Sequence, residues 1–156
     1  MDGRFDPLFS GRFGTTALAQ RLPRNGGAMK KILIVEDNEV VQDILRQFLE
    51  TRYLVQIASN ASQALSAIVQ GTPDVALLDI KMPGLDGISL LKSLREMGVT
   101  VPIFIMTGYD SLQVAQDALN AGANGYLPKP FDLLHLDRLV ADACGAEALH
   151  PTGSSG

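Results

Sequence analysis

Residues 75–87 read Val75-Ala76-Leu77-Leu78-Asp79-Ile80-Lys81-Met82-Pro83-Gly84-Leu85-Asp86-Gly87. Apolar residues that run on without alternating fit a strand covered on both faces, as central strands of a parallel sheet are. The run 75–78 is therefore expected in the middle of such a sheet, and Asp79 closes it at the carboxyl end. Pro83-Gly84 fits a tight turn after that acid. Asp86 stands where the N-cap of a following helix is wanted, over roughly 86–97 before Gly98.

Working outward, the same alternation of short β-branched runs with amphipathic stretches repeats five times, the pattern of βαβ units on a parallel sheet. Strands are expected at 31–35, 53–58, 74–78, 101–106 and 124–127. The continuously apolar 32–35 joins 75–78 as a central strand. The first helix starts from Asn38, with Val40, Val41, Ile44, Leu45, Phe48 and Leu49 read as one stripe. Asn60 and Gln63 form a capping-box-like start to the second, which Gly71 and Pro73 stop. The fourth is expected over 110–121 before Gly122 and the fifth over 132–143.

The folded part is thus expected at 29–144. Residues 1–28 show no period of 2 or 3.6, repeat Gly-Arg-Phe at 3–5 and 11–13, and read as a flexible N-terminal tail. Met29, directly before Lys30-Lys31 and the first strand, has the position of a natural start. Residues 145–156 read as a flexible C-terminal tail ending Pro-Thr-Gly-Ser-Ser-Gly.

The chain has 156 residues, 46% of them hydrophobic and 19% charged, enough apolar surface for one core and one domain. No run approaches the ~18 apolar residues of a membrane span, and the first residues lack a secretory signal. A soluble, cytoplasmic protein is expected. Residues 1–31 hold six basic and two acidic residues, net +4, whereas the rest holds seven basic and fifteen acidic, net −8. So acidic a body repels phosphate backbones, and direct nucleic-acid binding is not expected. The single Cys144 excludes an internal disulfide and any CxxC site.

In an open parallel sheet, ligands bind outside the carboxyl ends of the strands. Strand one ends in Glu36-Asp37, strand three in Asp79, strand four in Thr107, and strand five runs through Tyr126 into Lys129-Pro130. Three carboxylates, a hydroxyl and an ammonium converge on one edge. Neighbouring parallel strands are ~4.8 Å apart, so the acids repel one another unless a cation compensates. Hard carboxylate oxygens without soft ligands point to Mg²⁺ or Mn²⁺. His135 and His150 are not placed to join.

Ile-Leu-Ile-Val-Glu-Asp-Asn at 32–38, Leu-Leu-Asp-Ile-Lys-Met-Pro-Gly-Leu-Asp-Gly at 77–87, Ile-Met-Thr-Gly at 105–108 and Gly-Tyr-Leu-Pro-Lys-Pro-Phe at 125–131 closely resemble the receiver domain of two-component response regulators, the CheY-like family. The resemblance covers about residues 30–143. It implies a flavodoxin-like (βα)5 doubly wound α/β fold, five parallel strands in order 2-1-3-4-5 with helices on both faces.

The resemblance also implies roles. Asp79 is the phosphoacceptor, taking a phosphoryl group from a phosphohistidine donor. Glu36, Asp37, Asp79 and the backbone carbonyl of Lys81 form the Mg²⁺ site. Lys129 and Thr107 meet phosphoryl oxygens, and Lys129-Pro130 resembles the family's cis peptide. Thr107 and Tyr126 form the switch that remodels the helix 4, strand 5 and helix 5 face. Lys81 and Tyr109 tune phosphoryl lifetime, with slow autodephosphorylation expected. The implied partners are a sensor histidine kinase or histidine phosphotransfer protein and a downstream protein target. Helices 4 and 5 offer a surface for a homodimer. The resemblance implies a single-domain signalling receiver that catalyses only its own phosphorylation and dephosphorylation, working alone or as a piece of a larger regulator.

Three other readings fit less well. A haloacid-dehalogenase phosphatase wants a second acid two residues after the nucleophile, where Lys81 stands. A flavin-binding domain wants a Ser/Thr/Gly-rich loop after strand one, where Glu36-Asp37-Asn38 stands. A receiver-like module that is never phosphorylated has no need of all five site residues.

Overall fold

The apolar run that opens the sequence reading forms a strand with all five residues buried, Val75–Asp79 (β3). A computed structural model describes residues 29–82, 85–108 and 112–145. The expected tails apart from Gly145, the Pro83-Gly84 turn, Tyr109 and His150 lie outside the described residues.

Beside β3 lie Lys31–Val35 (β1) and Ile103–Thr107 (β4), with Leu54–Ala58 (β2) and Gly125–Pro128 (β5) on the edges. Every pairing is parallel, and the order is β2-β1-β3-β4-β5. Burial follows position. The inner strands are buried almost throughout, whereas the edge strands keep partly exposed residues, which is why only inner strands read as unbroken apolar runs. β4 starts two residues later than expected, because Pro102 has no N–H for the ladder.

Five helices cover the two faces: Glu39–Leu49 (α1), Ala61–Gln70 (α2), Gly87–Glu96 (α3), Leu112–Asn120 (α4) and Leu133–Cys144 (α5). Leu33, Val35, Ala76 and Leu78 pack with Ala64, Ile68, Leu90, Leu91, Leu94 and Ala118 of α2, α3 and α4. Ile32, Ile34, Val75 and Leu77 pack on the opposite side with Leu45, Leu49, Leu136 and Val140 of α1 and α5. Alternate residues of one strand thus feed two cores. Truncating one of these buried leucines to Ala costs about 2–5 kcal/mol.

The caps follow the sequence closely. Asn38 Oδ1 accepts from the Val40 and Val41 amides, Asn60 from Gln63, Asp86 from Ile88 and Asp132 from Leu134 and His135. Gly145 closes α5 in the left-handed region at φ 71°. The α1 stripe differs from its expectation. Val40 is 67% exposed and Ile44 also faces outward, whereas Gln42 is buried beside Leu45 and Leu49. The inward face keeps Val41, Leu45, Phe48 and Leu49 of the stripe and adds Gln42, which finds hydrogen-bond partners inside, in place of Val40 and Ile44.

Lys81–Met82 pairs antiparallel with Leu85–Asp86, folding the chain back from β3 into α3. The return brings Gly87 hard against the acid-bearing strand end. A Cβ there would lie 2.5 Å from the Asp79 carbonyl oxygen and 2.6 Å from Ile80 Cα, so only glycine fits.

Candidate functional site

The carboxyl ends of β1, β3, β4 and β5 deliver their polar residues to one edge of the sheet. Glu36 and Asp37 follow β1, Asp79 is the last residue of β3, Thr107 is the last of β4, and Lys129 follows β5. Asp79 is in register with Met106, which puts Thr107 one residue further along the neighbouring strand. The Lys129 amide donates to the Thr107 carbonyl at 2.7 Å, fixing the exit of β5 against β4. The Lys129-Pro130 peptide is cis.

Carboxylate oxygens of Glu36, Asp37 and Asp79 all lie within 4.8 Å of one another. The Lys129 ammonium is 3.0 Å from Glu36 Oε1 and 3.4 Å from Asp79 Oδ1. Glu36 Oε2 accepts the Asn38 amide at 3.1 Å, and Asp79 Oδ1 accepts the Lys81 amide at 3.3 Å. The Lys129 ammonium therefore bears directly on two of the three acids. Two of those acids are almost fully enclosed: Glu36 is 1% exposed and Asp79 is 4% exposed, while Asp37 faces solvent.

The end of a strand at a sheet edge would by itself leave a carboxylate open to solvent, whereas Asp79 is enclosed. The physical reason is the neighbouring strand ends, which carry Glu36 and Lys129 to within contact of it. Burial pushes the Glu36 carboxyl above its ordinary range, and the Asp79 charge adds to that, against the opposing pull of the Asn38 amide and Lys129. Burial alone would lower Lys129, but its hydrogen bond to Glu36 and the charge of Asp79 outweigh it and hold the ammonium above the ordinary lysine value. The lysine stays charged beside the two acids it contacts.

The donor set suits a hard divalent ion: three carboxylates converge on one spot, with no sulfur or imidazole among the described residues that gather there. Lys81 contributes its amide to Asp79, and its side chain is exposed. Tyr126 lies on edge strand β5 opposite Ile105 and is 41% exposed. His135 is on the exposed side of α5, away from the cluster.

Residues 32–141 match the family profile of the response regulator receiver domain. The chain belongs to that family. Among its curated relatives, response regulator MprA of Mycobacterium sp. (strain KMS) is 40% identical over 107 residues, covering 68% of this chain and 46% of that protein. MprA of Mycobacterium avium (strain 104) is also 40% identical, with 47% of its length covered. This receiver chain thus spans about half the length of the curated relatives it matches. The receiver domain of Francisella response regulator 1452 superposes with a TM-score of 0.70 at 32% identity, covering 74% of this chain and 97% of that one. The CheY-like receiver domain protein of Methanospirillum hungatei JF-1 gives 0.71 at 34%, covering 76% and 95%. The five parallel strands in order 2-1-3-4-5 with five helices are the flavodoxin-like architecture expected of a CheY-like receiver. Receiver domains bind Mg²⁺ at an acidic pocket, and Glu36, Asp37 and Asp79 form such a pocket in this one. None of the helices among the described residues is long and apolar enough to cross a membrane.

Three polar groups escaped the sequence reading, one behind the site and two toward the other end of the strands. Gln42 Nε2 donates to the Glu36 carbonyl and to Ser59 Oγ. Its signal was present, since position 42 shares the row of Leu45 and Leu49 and a polar residue on a buried row needs a partner. Arg95 donates to the carbonyls of Val99, Val101 and Gly122 and to Asn124 Oδ1. Arg52 pairs with the buried Asp137 at 2.5 Å, across 85 residues of sequence. No local pattern signals the long-range links, because Gly122 and Asn124 lie 27 and 29 residues from Arg95 and Asp137 lies 85 from Arg52.

Proposed function

We propose that this receiver accepts a phosphoryl group on Asp79 from a phosphohistidine of a sensor histidine kinase or histidine phosphotransfer protein, and signals through the α4, β5 and α5 face to a protein target. The observation that carries this reading is the meeting of Glu36, Asp37 and Asp79 within 4.8 Å with Lys129 on two of them. An Asp79 oxygen attacks phosphorus, the P–N bond breaks, and the imidazole nitrogen leaves with the electron pair, giving an aspartyl phosphate.

Glu36, Asp37, the Asp79 carboxylate and the Lys81 carbonyl would hold Mg²⁺, or Mn²⁺ in its place. The ion supplies positive charge against the developing phosphoryl oxygens. Lys129 pairs with one phosphoryl oxygen and the Thr107 hydroxyl donates to another, so the new charge meets partners already in place. Glu36 and Asp79 are too enclosed to be served by bulk water, which makes those partners worth more.

Phosphorylation adds about −1.5 to −2 charges at this edge. Thr107 moves toward them, and Tyr126, now exposed on β5, turns inward as the reporter of the switched state. A second copy pairing through α4 and α5 is one form of output. The reaction belongs in the cytoplasm, where acyl phosphates and kinases meet the protein.

The test is intact-mass spectrometry after incubation with acetyl phosphate and MgCl₂, on the parent chain and Asp79→Asn. A gain of one phosphoryl group that needs both Mg²⁺ and Asp79 is the expected result. An unchanged mass under rapid quenching, with phosphohistidine donor protein also supplied, overturns the acceptor reading and favours a phosphorylation-independent binding module.

A further inference from the structure

Gln42 is 8% exposed and points its amide at the loop that carries the acidic pair. Nε2 has two hydrogens, and both are used: one on the Glu36 carbonyl at 2.5 Å, the other on Ser59 Oγ at 3.1 Å. We propose that Gln42 is the positioning residue for the Glu36-Asp37 pair, setting the direction in which Asp37 meets a divalent cation.

Glu36 belongs to two peptide planes, and each is held from outside its own strand. Its N–H donates to the Ala58 carbonyl of β2 at 3.0 Å, and its C=O accepts from Gln42. A peptide is planar, so holding the Glu36 carbonyl also fixes the Asp37 nitrogen and Cα. Asp37 itself is exposed, so burial does not fix its direction. The amide of Gln42 supplies that constraint instead.

Gln42 is itself anchored. Its backbone N–H donates to the Asn38 carbonyl at 3.0 Å in the first turn of α1. Ser59, its second acceptor, is tied to α2, since the Ser59 amide donates to Gln63 Oε1 at 2.7 Å and the Gln63 amide donates to Asn60 Oδ1 at 2.8 Å. The starts of α1 and α2 therefore hold one side chain between them, and that side chain holds the metal-bearing turn. Groups that orient ligands from behind commonly change metal affinity by about 10–100-fold when lost.

This inference rests on the reading of Glu36 and Asp37 as metal ligands, and its test separates the two. Mn²⁺ affinity is measured by isothermal titration calorimetry on the full chain for the parent, Gln42→Met, Ser59→Ala and Asp37→Asn, alongside amide hydrogen exchange without metal. Gln42→Leu replaces Gln42→Met if the latter does not fold. Gln42→Met is expected to weaken Mn²⁺ about 10-fold while thermal unfolding stays cooperative, and to speed exchange at the Asp37 amide but not in β3 or β4. Ser59→Ala, which leaves the bond to Glu36, is expected within about twofold of the parent, and Asp37→Asn to lose binding. A Gln42→Met protein that binds Mn²⁺ as the parent does overturns the proposal. A parent that binds no Mn²⁺ overturns the metal reading instead, and the Asp37 amide then decides the positioning role: unchanged exchange ends it, faster exchange sustains it.

Discussion

The Lys129 ammonium sits 3.0 Å from Glu36 Oε1, joining two residues 93 apart in sequence at the mouth of the sheet. It is the cation that lets Glu36 and Asp79 be buried side by side. Replacing it with Met leaves three carboxylates facing one another. Lys129→Met is expected to lose about 1–3 kcal/mol of stability at neutral pH, less than for a fully buried pair because Lys129 keeps some solvent contact. Added MgCl₂ is expected to restore much of that loss, as binding to the folded state alone must. Thermal unfolding with EDTA and with MgCl₂ measures both. A variant as stable as the parent in EDTA would show that the acids need no compensation.

Gly87 marks a steric limit next to Asp79, the proposed acceptor. Gly87→Ala would place a methyl carbon 2.5 Å from the Asp79 carbonyl oxygen, against backbone that cannot swing aside. The expected cost is about 1–3 kcal/mol in urea unfolding. Phosphorylation by acetyl phosphate should also slow, because the chain must shift at Asp79 itself. Unchanged stability and rate would mean that the β3 to α3 return is loose.

The inner strands and helix caps were legible because each depends on neighbours in sequence. Leu77 and Leu78 announce double-sided burial, and Asn38, Asn60 and Asp86 announce helix starts, whatever lies elsewhere. The strand-end acids were legible for the same reason, since a parallel strand has only one carboxyl end. Gln42 was hidden behind a count of apolar residues that favoured Val40 and Ile44, both of which face outward. What a buried polar group bonds to is a property of the assembled fold, and Ser59 is 17 residues away. The enclosure of Asp79 was likewise out of reach, because it depends on how closely four chain segments approach.

Arg95 links three segments that no local signal connects. Its guanidinium donates to Gly122 O at 3.0 and 2.8 Å, to Val99 O at 2.9 Å, to Val101 O at 2.8 Å and to Asn124 Oδ1 at 2.9 Å. Asn124 Oδ1 also accepts the Ile103 amide at the start of β4. A lysine has the charge without the planar fork. Arg95→Lys is therefore expected to lose about 1–3 kcal/mol, close to the loss in Arg95→Met, by chemical denaturation. Full rescue by Lys would reduce the role of Arg95 to charge.

Lys81 and Tyr109 stand two residues after the acceptor and two after Thr107. In the proposed reading the lysine and the aromatic residue at these positions slow attack by water on the aspartyl phosphate, so the phosphorylated chain is expected to lose its phosphoryl group slowly. Tyr109→Ala is expected to shorten the lifetime several-fold when intact mass is followed after removal of acetyl phosphate. A variant that keeps its phosphoryl group longer than the parent counts against shielding by Tyr109.

Tyr53 offers the sharpest test by pH. Its ring lies in the α1 and α5 core, and its hydroxyl is buried without a hydrogen-bond partner. Burial pushes the phenol from 10.0 up to about 12, with Arg52 opposing. The folded chain therefore keeps a proton that the unfolded chain releases near pH 10. That contribution is fully present below pH 10 and falls away as the pH rises from there toward about 12, by up to about 2–3 kcal/mol. Tyr53→Phe has no proton to lose and should flatten the stability curve over that window, apart from the losses due to Cys144 and Lys129, whose raised values act in the same direction. At neutral pH the same substitution removes an unpaired polar atom from the core, so it should leave stability equal or higher. Denaturation midpoints at pH 7, 10 and 11 for both proteins decide it. Parallel curves above pH 10, or a Phe variant weaker at pH 7, would mean that the hydroxyl has a partner in solution.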